Sequence, residues 1–382
     1  MKCKQLFQKI DELNDRYLDV WEKFVSIESP TDYKVGVDAA SAYLESLGRE
    51  LGFSCERFPQ PIAGDVVSIT MNGEAEGAPV ILSGHVDTVH AVGSFGTPPT
   101  HKKDGKLYGP GVSDCKGGIV AALLAMHALR DVGFSARPIK LILQTDEEQN
   151  SIPSGGRTID ILVQEAKGAI AFLNCEATRG HSAVMTRKGI LRFLFTHTGR
   201  AAHASKCTDG VSAICEAAHK ILELEKMKDM DGITACCGLI SGGTAENAVP
   251  DSCTFTVDFR FHTSEEMLQI RERVKTIAET SYVGASCTVT QTSYRPAMDK
   301  SDKNDELLAK MNRIYSDNGM PTLIGRFSTG GSDASYTTIA AIPTVDSIGV
   351  DGDGVHTPGE FAYIHSLAEA AKRLAAVAYC IE

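Results

Sequence analysis

The chain has 382 residues, of which 43% are hydrophobic and 23% charged, and its formal net charge is -11 at pH 7. This composition is typical of a globular protein with a sizeable core, and the length favours two domains over one. The acidic balance argues against a nucleic-acid partner.

The sequence also argues against a membrane partner and a disulfide framework. No stretch approaches the roughly 18 consecutive apolar residues of a membrane span. The amino terminus leads directly into an amphipathic helical pattern, without the apolar segment and cleavage site of a signal peptide. The eleven cysteines are odd in number and scattered, which is typical of reduced core residues. We therefore expect a cytoplasmic protein.

The first 185 residues alternate between helical and strand patterns. The spacing of apolar residues predicts helices over 6–24, 40–51, 117–129 and 158–165, and strands near 53–57, 66–71, 139–145 and 169–174. A further buried strand begins at Val80, in the apolar run that precedes His85 and Asp87. Alternation of this kind predicts an α/β domain, in which helices flank a mostly parallel sheet.

The pattern changes character between residues 186 and 294. Strands are predicted over 190–196, 233–240, 254–261 and 286–290, with helices over 211–224 and 265–280. Two β-α-β runs of this length predict a small α+β unit of the ferredoxin-like kind. The α/β alternation resumes at 295 and ends in a helix predicted over 361–381. We therefore expect a catalytic domain in two parts, 1–185 and 295–382, interrupted by a smaller domain, 186–294.

Acidic and imidazole side chains follow one predicted strand after another. They are His85, Asp87, Asp114, Glu147, Glu148, Glu176 and, after the last strand, His356. Because the carboxyl ends of parallel strands share one edge of a sheet, we expect these groups to converge there. So many carboxylates would repel one another unless a cation neutralised them. Imidazole and carboxylate donors suit zinc or a related divalent ion, and the number of carboxylates predicts two ions with one bridging ligand.

The combined motifs resemble the di-zinc metallopeptidase family of glutamate carboxypeptidases, aminoacylases and succinyl-diaminopimelate desuccinylase, and most closely its bacterial glutamate carboxypeptidase type. The likeness covers nearly the whole chain, and its motifs are His85-Val-Asp87, Gly109-Pro-Gly-Val-Ser-Asp114-Cys-Lys-Gly-Gly118, Thr145-Asp-Glu147-Glu148, Glu176, His356, Arg295-Pro-Ala and Gly330-Gly-Ser-Asp333.

The resemblance implies a metal centre of two Zn²⁺ per subunit, with Co²⁺ or Mn²⁺ as substitutes. Asp114 would bridge the ions, and the remaining ligands would be His85 and Glu176 for one ion and Glu148 and His356 for the other. Asp87 would orient a ligating imidazole, and Glu147 would be the general base.

The resemblance also implies that 186–294 is a lid and dimerisation domain, and hence that the protein is a homodimer. His203 would reach the partner subunit's site and stabilise the tetrahedral oxyanion. Asn247 would contact the substrate, and Arg295 would receive a substrate carboxylate.

The function expected from this pattern is zinc-dependent hydrolysis of an amide bond next to a free carboxylate. The enzyme would release a carboxyl-terminal amino acid such as glutamate from a small peptide or N-acyl substrate. Glutamate at position 176 resembles the carboxypeptidase and acylase members more than the aminopeptidases and dipeptidases. The alternatives within the family are an N-acyl-amino-acid amidohydrolase or deacetylase and a dipeptidase.

Two alternative hypotheses for the function lie outside this class of enzyme. A serine hydrolase could use Ser332, but Gly330-Gly-Ser-Asp-Ala lacks the closing glycine of a nucleophile elbow. A protein that binds zinc or peptides without catalysis is the other alternative. Cys115 is interpreted as a packing residue, and His90 and His101 have no assigned role.

Overall fold

The structure is a computed structural model that describes residues 2–228 and 232–382. The helices of the described residues are α1 (Lys4–Val25), α2 (Lys34–Glu50), α3 (Gly117–Asp131), α4 (Arg157–Glu165), α5 (Ala213–Glu225), α6 (Ser264–Glu279), α7 (Asp302–Asp317), α8 (Ala334–Ile339) and α9 (Ser366–Cys380). The strands are β1 (Ser54–Phe58), β2 (Val66–Met71), β3 (Val80–His85), β4 (His101–Lys103), β5 (Lys106–Tyr108), β6 (Ile139–Gln144), β7 (Ala171–Asn174), β8 (Ser182–Arg187), β9 (Gly189–Thr198), β10 (Ala202–His203), β11 (Thr234–Gly242), β12 (Ala248–Val249), β13 (Ser252–Phe261), β14 (Ser286–Arg295), β15 (Ile324–Ser328), β16 (Thr344–Val345), β17 (Gly352–Asp353) and β18 (Phe361–Tyr363).

The chain divides into two compact units, of which the first is discontinuous. The first unit is Met1–Met185, Lys300–Phe327 and Tyr336–Glu382, and the second is Thr186–Asp299 with Ser328–Ser335. The second unit continues a few residues beyond the border predicted at 294, because Arg187 and Met298 exchange backbone hydrogen bonds of 3.1 Å after β14 ends. No sequence pattern around 328–335 predicts that this segment belongs to the second unit.

The first unit contains a six-stranded sheet in the order β1-β2-β6-β3-β7-β16. The four strands from β6 to β16 are parallel, whereas β1 and β2 pair antiparallel. Alternate residues of each strand face opposite sides of a sheet. Here Leu82 and Leu141 pack into a core with α1, α2, α3 and α9, while Ile81 and Ile142 pack into a second core with α4. The prediction of helices around a mostly parallel sheet is confirmed.

Helix α3 is the central helix of the larger core. It contacts α1 and α9, and all of its residues from Gly117 to Leu129 are buried. By length and composition, the stretch Val112–Asp131 is the one helix of the described residues that could cross a membrane, but 94% of its apolar window is buried inside the protein. The apolar surface of this helix is therefore used to form the core.

A small antiparallel sheet in the order β17-β18-β5-β4 lies next to the predicted site residues. The sequence prediction of a helix from 361 is wrong for its first residues, because Phe361–Tyr363 pairs as a strand with Lys106–Tyr108 and the helix begins at Ser366. The pairing buries Ala362 completely. It also ties the segment that follows His356 to the segment that precedes Asp114.

The second unit has a four-stranded antiparallel sheet in the order β11-β13-β9-β14. Helix α5 connects β9 to β11, and α6 connects β13 to β14, which gives the ferredoxin-like arrangement that the sequence predicts. One face of the sheet carries a row of aromatic residues, including Phe195 and Phe255, with ring centroids 4.6 Å apart. Apolar residues of both helices pack on this face and form a separate core.

Candidate metal centre

The predicted metal-ligating residues of the first unit lie at the carboxyl ends of neighbouring strands. His85 is the last residue of β3, Glu147 and Glu148 follow β6, and Glu176 follows β7. These three strands are adjacent and parallel, so their ends share one edge of the sheet. Asp114 reaches the same edge from Val112–Lys116, an irregular turn directly before α3.

Asp114 lies between two histidines, and each of its carboxylate oxygens faces one of them. Its Oδ1 is 3.1 Å from Nε2 of His85, and its Oδ2 is 3.3 Å from Nε2 of His356. On one side, Glu176 Oε1 lies 3.6 Å from His85 Nε2. On the other, Glu148 Oε2 lies 3.2 Å from His356 Nε2. The five side chains therefore form two groups that share Asp114.

The donor atoms are close enough together to hold a cation. One ligand atom each from His85, Asp114 and Glu148 fall within 4.8 Å of one another, and the same is true of His85, Cys115 and Glu176. The Cys115 thiol is fully buried and accepts a hydrogen bond from the backbone N–H of His85 over 3.0 Å. Burial raises the pKa of this thiol well above its usual value, which keeps it protonated and consistent with a packing role.

The protonation equilibria of this cluster are strongly perturbed. Burial, followed by the charge of Asp114, raises the pKa of Glu148 to about 8, and burial also raises the pKa of Glu176 well above its usual value. Burial opposes the ionisation of Asp114, but hydrogen bonds with His356 and His85 hold its pKa well below the usual range. Hydrogen bonds to Asp114 and Glu148 raise the pKa of His356 to about 11. Such perturbation in a group of convergent carboxylates marks a candidate functional site.

Asp87 contacts both the first histidine and the glutamate pair. Nδ1 of His85 lies 3.0 Å from the backbone oxygen of Asp87 and 3.4 Å from its carboxylate, which leaves Nε2 directed at Asp114. The Asp87 carboxylate also accepts hydrogen bonds from the Thr31 hydroxyl at 2.8 Å and from the backbone N–H groups of Glu147 and Glu148 at 3.3 and 3.2 Å. Asp87 is fully buried, so these contacts are shielded from water.

Glu360 is a site residue that the sequence analysis missed. Its carboxylate is fully buried and accepts hydrogen bonds from the backbone N–H groups of Gly111, Ser113 and Asp114 at 3.1, 2.9 and 3.0 Å. It also contacts the Ser113 hydroxyl at 3.0 Å and Nε2 of His90 at 2.8 Å. In the sequence, Glu360 is a single glutamate four residues after His356, and no motif used in the sequence analysis includes it.

Two glycines allow the turn of Asp114 to approach the sheet closely. A Cβ atom at Gly118 would lie 1.8 Å from the backbone oxygen of Cys175, the residue before Glu176. A Cβ atom at Gly84 would lie 2.6 Å from the side chain of Ile119. At Gly118 only glycine fits, because the backbone of Cys175 comes this close, whereas at Gly84 a Cβ atom would collide with a packed side chain. The start of α3 can therefore lie directly against the ends of β3 and β7.

The remaining predicted residues belong to the second unit. His203 is exposed, and its Nδ1 lies 2.9 Å from the Ser205 hydroxyl. The next residue, Ala204, donates its backbone N–H to the carbonyl oxygen of Asn247 at 2.9 Å, so the His203 and Asn247 segments are neighbours. Arg295 is only 2% exposed, and its Nη2 lies 3.7 Å from Asp333 Oδ1. The unit thus brings together Arg295 and the Gly330-Gly-Ser-Asp333 motif.

Ser332 has the environment of a structural residue. Its side chain is fully buried, and its hydroxyl accepts a hydrogen bond from the backbone N–H of Ala334 at the start of α8. A hydroxyl in this position caps a helix, whereas a nucleophilic serine needs access to its substrate. The arrangement argues against a serine hydrolase.

Comparison with known proteins identifies a family model that matches most of the chain. The model of the peptidase family M20/M25/M40 matches residues 81–379. Carboxypeptidase G2 of Pseudomonas sp. (strain RS-16) is 29% identical over 366 residues, which cover 92% of this chain and 86% of the relative. Acetylornithine deacetylase of Myxococcus xanthus is 28% identical over 261 residues, which cover 64% of this chain and 66% of the relative.

Solved structures show the same fold. A tripeptidase of Staphylococcus aureus superposes with a TM-score of 0.77 at 23% identity, over 95% of this chain and 97% of that one. A dinuclear metal-binding peptidase of the M20 family from Bacillus subtilis superposes with a TM-score of 0.72 at 16% identity, over 97% and 98% of the two chains.

Proposed function

Because the chain belongs to the peptidase family M20/M25/M40 and is a metal-binding hydrolase of that family, we propose that it cleaves an amide bond next to a free carboxylate, as a carboxypeptidase does. The family resemblance seen in the motifs is thereby confirmed. The observation that carries the proposal is the position of Asp114, with one histidine and one glutamate on either side. The extended similarity to a carboxypeptidase supports this substrate class.

The donor set fits a centre of two zinc ions. In the proposal, His85 and Glu176 would hold one ion, Glu148 and His356 would hold the other, and Asp114 would be shared by both. The fit rests on donor chemistry, since imidazole nitrogen and carboxylate oxygen are the ligands of catalytic zinc, and the buried carboxylates need a cation to stay ionised together. When bound, the ions supply Lewis acidity, which polarises the scissile carbonyl and acidifies the attacking water.

Glu147 is the proposed general base. It is 8% exposed, and its backbone is fixed by the hydrogen bond to Asp87. In this role its carboxylate accepts a proton from the attacking water and returns it to the leaving nitrogen. Glu148, the next residue, faces His356 at 3.2 Å. The two neighbouring glutamates therefore have separate tasks, with one moving protons and the other binding metal.

The second unit supplies the proposed substrate contacts. His203 would donate a hydrogen bond to the tetrahedral oxyanion, and Asn247, whose segment lies beside it, would contact the substrate. Arg295 would bind the substrate carboxylate, because its planar fork matches that group. Asp333 lies near its guanidinium and would fix its orientation.

We also propose a homodimer formed through the second unit. Strand β11 is at the edge of its sheet, and its Leu239 and Ile240 are 71% and 58% exposed. An exposed apolar edge strand is a surface that pairs readily with another chain.

The eleven cysteines are all free, which is consistent with a cytoplasmic location.

The test is a hydrolysis screen with zinc present. Substrates are N-acyl glutamates, other N-acyl amino acids and dipeptides, each with a matched amide that lacks the free carboxylate. We expect cleavage of the carboxylate forms, loss of activity after chelation and recovery on addition of zinc or cobalt. Preference for N-acetyl amino acids would favour the deacetylase class, to which a second relative belongs. Tight zinc binding without turnover of any substrate would refute the enzyme proposal.

A further inference from the structure

We propose that Glu360 is a positioning residue that holds Asp114 and His356 in register with each other, with His90 as its partner. The proposal rests on the proposed function in so far as Asp114 and His356 are taken as metal ligands. Glu360 itself is directed at the backbone around Asp114. Its task is to fix where two ligand loops lie before a cation is bound.

The hydrogen bonds of Glu360 show that it acts as an acceptor at both oxygens. Oε1 accepts from the backbone N–H groups of Ser113 and Asp114 at 2.9 and 3.0 Å, and from the Ser113 hydroxyl at 3.0 Å. Oε2 accepts from the Gly111 N–H at 3.1 Å and faces His90 Nε2 at 2.8 Å. A backbone N–H can only donate, so both side-chain oxygens of Glu360 act as acceptors in these contacts.

The turn of Asp114 needs such an acceptor. Gly111 has a left-handed backbone with φ of 71°, and Asp114 has non-helical angles of -114° and 88°, so this segment does not form a regular helical ladder. Buried N–H groups must find acceptors elsewhere. The side chain of Glu360 accepts hydrogen bonds from three N–H groups within the segment 111–114. Because the backbone N–H of Asp114 is held in place, the backbone position from which its side chain extends between the two histidines is fixed as well.

The same carboxylate anchors the loop of His356. Between Gly354 and Glu360 the chain is closed on itself, because Thr357 N–H donates to Gly354 O at 3.1 Å and Glu360 N–H donates to Thr357 O at 3.1 Å. His356 lies within this loop with φ of 62°, and its side chain is 56% exposed. Once Glu360 is fixed, the short loop leaves His356 little freedom to move away from Asp114.

His90 adds a third segment to the same point. It follows β3 by five residues, is 8% exposed, and its ring packs edge-on against Phe95 at 4.9 Å. In a neutral imidazole that carries its proton on Nε2, this nitrogen donates to Glu360. His90 therefore supports the orientation of the carboxylate without contacting the predicted metal ligands. It also acquires a role that its sequence position did not indicate.

The test measures metal binding separately from catalysis. Glu360→Gln retains the size of the side chain but replaces one acceptor oxygen with an NH₂ group that faces N–H donors. We expect zinc affinity, measured by competition with a chromophoric chelator, to fall about 10- to 100-fold, as for other residues that orient ligands. The visible absorption spectrum of the cobalt-loaded protein should also change, since it reports ligand geometry. Glu369→Gln, an exposed glutamate on α9, is the matched control and should change neither.

Milder variants keep the proposal testable if Glu360→Gln does not fold. His90→Ala removes one donor and should weaken zinc binding a few-fold, while His90→Gln, which retains an N–H donor, should restore part of it. Folded variants with the zinc affinity and cobalt spectrum of the wild type would overturn the proposal. A wild-type protein that binds zinc but hydrolyses nothing would refute the proposed function alone, because the binding comparison would still decide the role of Glu360.

Discussion

The carboxylate of Asp87 accepts a hydrogen bond from the backbone N–H of Glu148 over 3.2 Å. The His85-Val-Asp87 motif by itself connects Asp87 only with the ring of His85. The structure shows that Asp87 also supports the segment after β6 that carries Glu147 and Glu148. One buried carboxylate thus holds in place proposed metal ligands that follow or end two adjacent strands, β3 and β6. Its loss should displace both sides of the proposed centre.

Replacing Asp87 is expected to weaken metal binding or turnover without unfolding the sheet. For Asp87→Ala we expect a loss of about 10- to 100-fold in zinc affinity or kcat/KM, the usual effect of removing a partner that orients metal ligands. Chelator competition and steady-state kinetics measure the two quantities. Wild-type values for both would remove Asp87 from the site.

Glu147→Gln and Glu148→Gln are expected to give opposite signatures. Loss of a general base lowers the rate by about 100- to 10,000-fold, so Glu147→Gln should lose turnover and retain its zinc. Glu148→Gln should lose zinc, since the amide is a poorer ligand than the carboxylate that faces His356. Metal content by elemental analysis and kcat on the same preparations provide the check. If both variants lose metal equally, the assigned roles are wrong.

If His203 acts across a dimer, two inactive variants should complement each other. A mixture of His203→Ala and Glu147→Gln protein should regain part of the wild-type activity after subunit exchange, because one site in a mixed dimer receives both intact residues. Exchange is verified with differently tagged subunits. Confirmed exchange without any recovery would mean that His203 does not serve a neighbouring site.

Lys220→Met is expected to destabilise the second unit strongly. Lys220 is buried, pairs with Glu216 at 3.2 Å and donates to the carbonyl oxygen of Ile277 at 2.7 Å near the end of α6. Removing one partner of a buried ion pair typically costs about 3–5 kcal/mol. Lys226→Met is the control, because its pair with Glu223 is exposed and solvent screens such pairs, so little stability should be lost. The free energies of unfolding in urea should differ accordingly, and equal values would contradict the role of Lys220.

His127 is expected to make the stability of the first unit depend on pH. It lies 3.0 Å from the Tyr17 hydroxyl, and burial lowers the pKa of its imidazole to about 4, against 6.5 for the ordinary side chain. Between these values the unfolded chain binds a proton that the folded chain does not, so stability is present above pH 6.5 and falls as the pH is lowered towards 4. The loss between pH 7 and pH 5 should be on the order of 1–2 kcal/mol.

His127→Gln removes the titrating group and should flatten this part of the profile. Urea unfolding at both pH values, with chelator present so that metal release does not contribute, measures the difference. An equally steep profile in the variant would show that other groups cause the acid sensitivity.

Much of the fold follows from local sequence patterns, and the reason is visible in particular elements. Strand β2 has the limits 66–71 that its apolar run predicts, and β3 and β6 are buried along their length. The exceptions depend on partners far away in the chain. Phe361–Tyr363 has a pattern compatible with a helix, and only its pairing with Lys106–Tyr108 makes it a strand.

The candidate site shows the same limit. The residues at strand ends could be predicted because the strand that precedes each one has a strong local signal. Glu360 could not, because its partners Gly111 and Ser113 are distant in sequence and take part mainly through backbone N–H groups, which no residue type encodes. The burial of Arg295 beside Asp333 was missed for a similar reason, since the ion pair joins β14 to a loop outside the continuous part of its unit.

The discontinuity of the first unit determines the order in which the proposed centre can mature. His85, Asp114, Glu148 and Glu176 are all synthesised before residue 186, whereas His356 and Glu360 follow the whole of the second unit. A nascent chain can therefore fold the smaller unit while its partial set of ligands still lacks the closing histidine and the glutamate that anchors it. Full loading with metal is thereby deferred until the segment that carries His356 and Glu360 has been synthesised, and chains that lack this segment cannot acquire the finished centre.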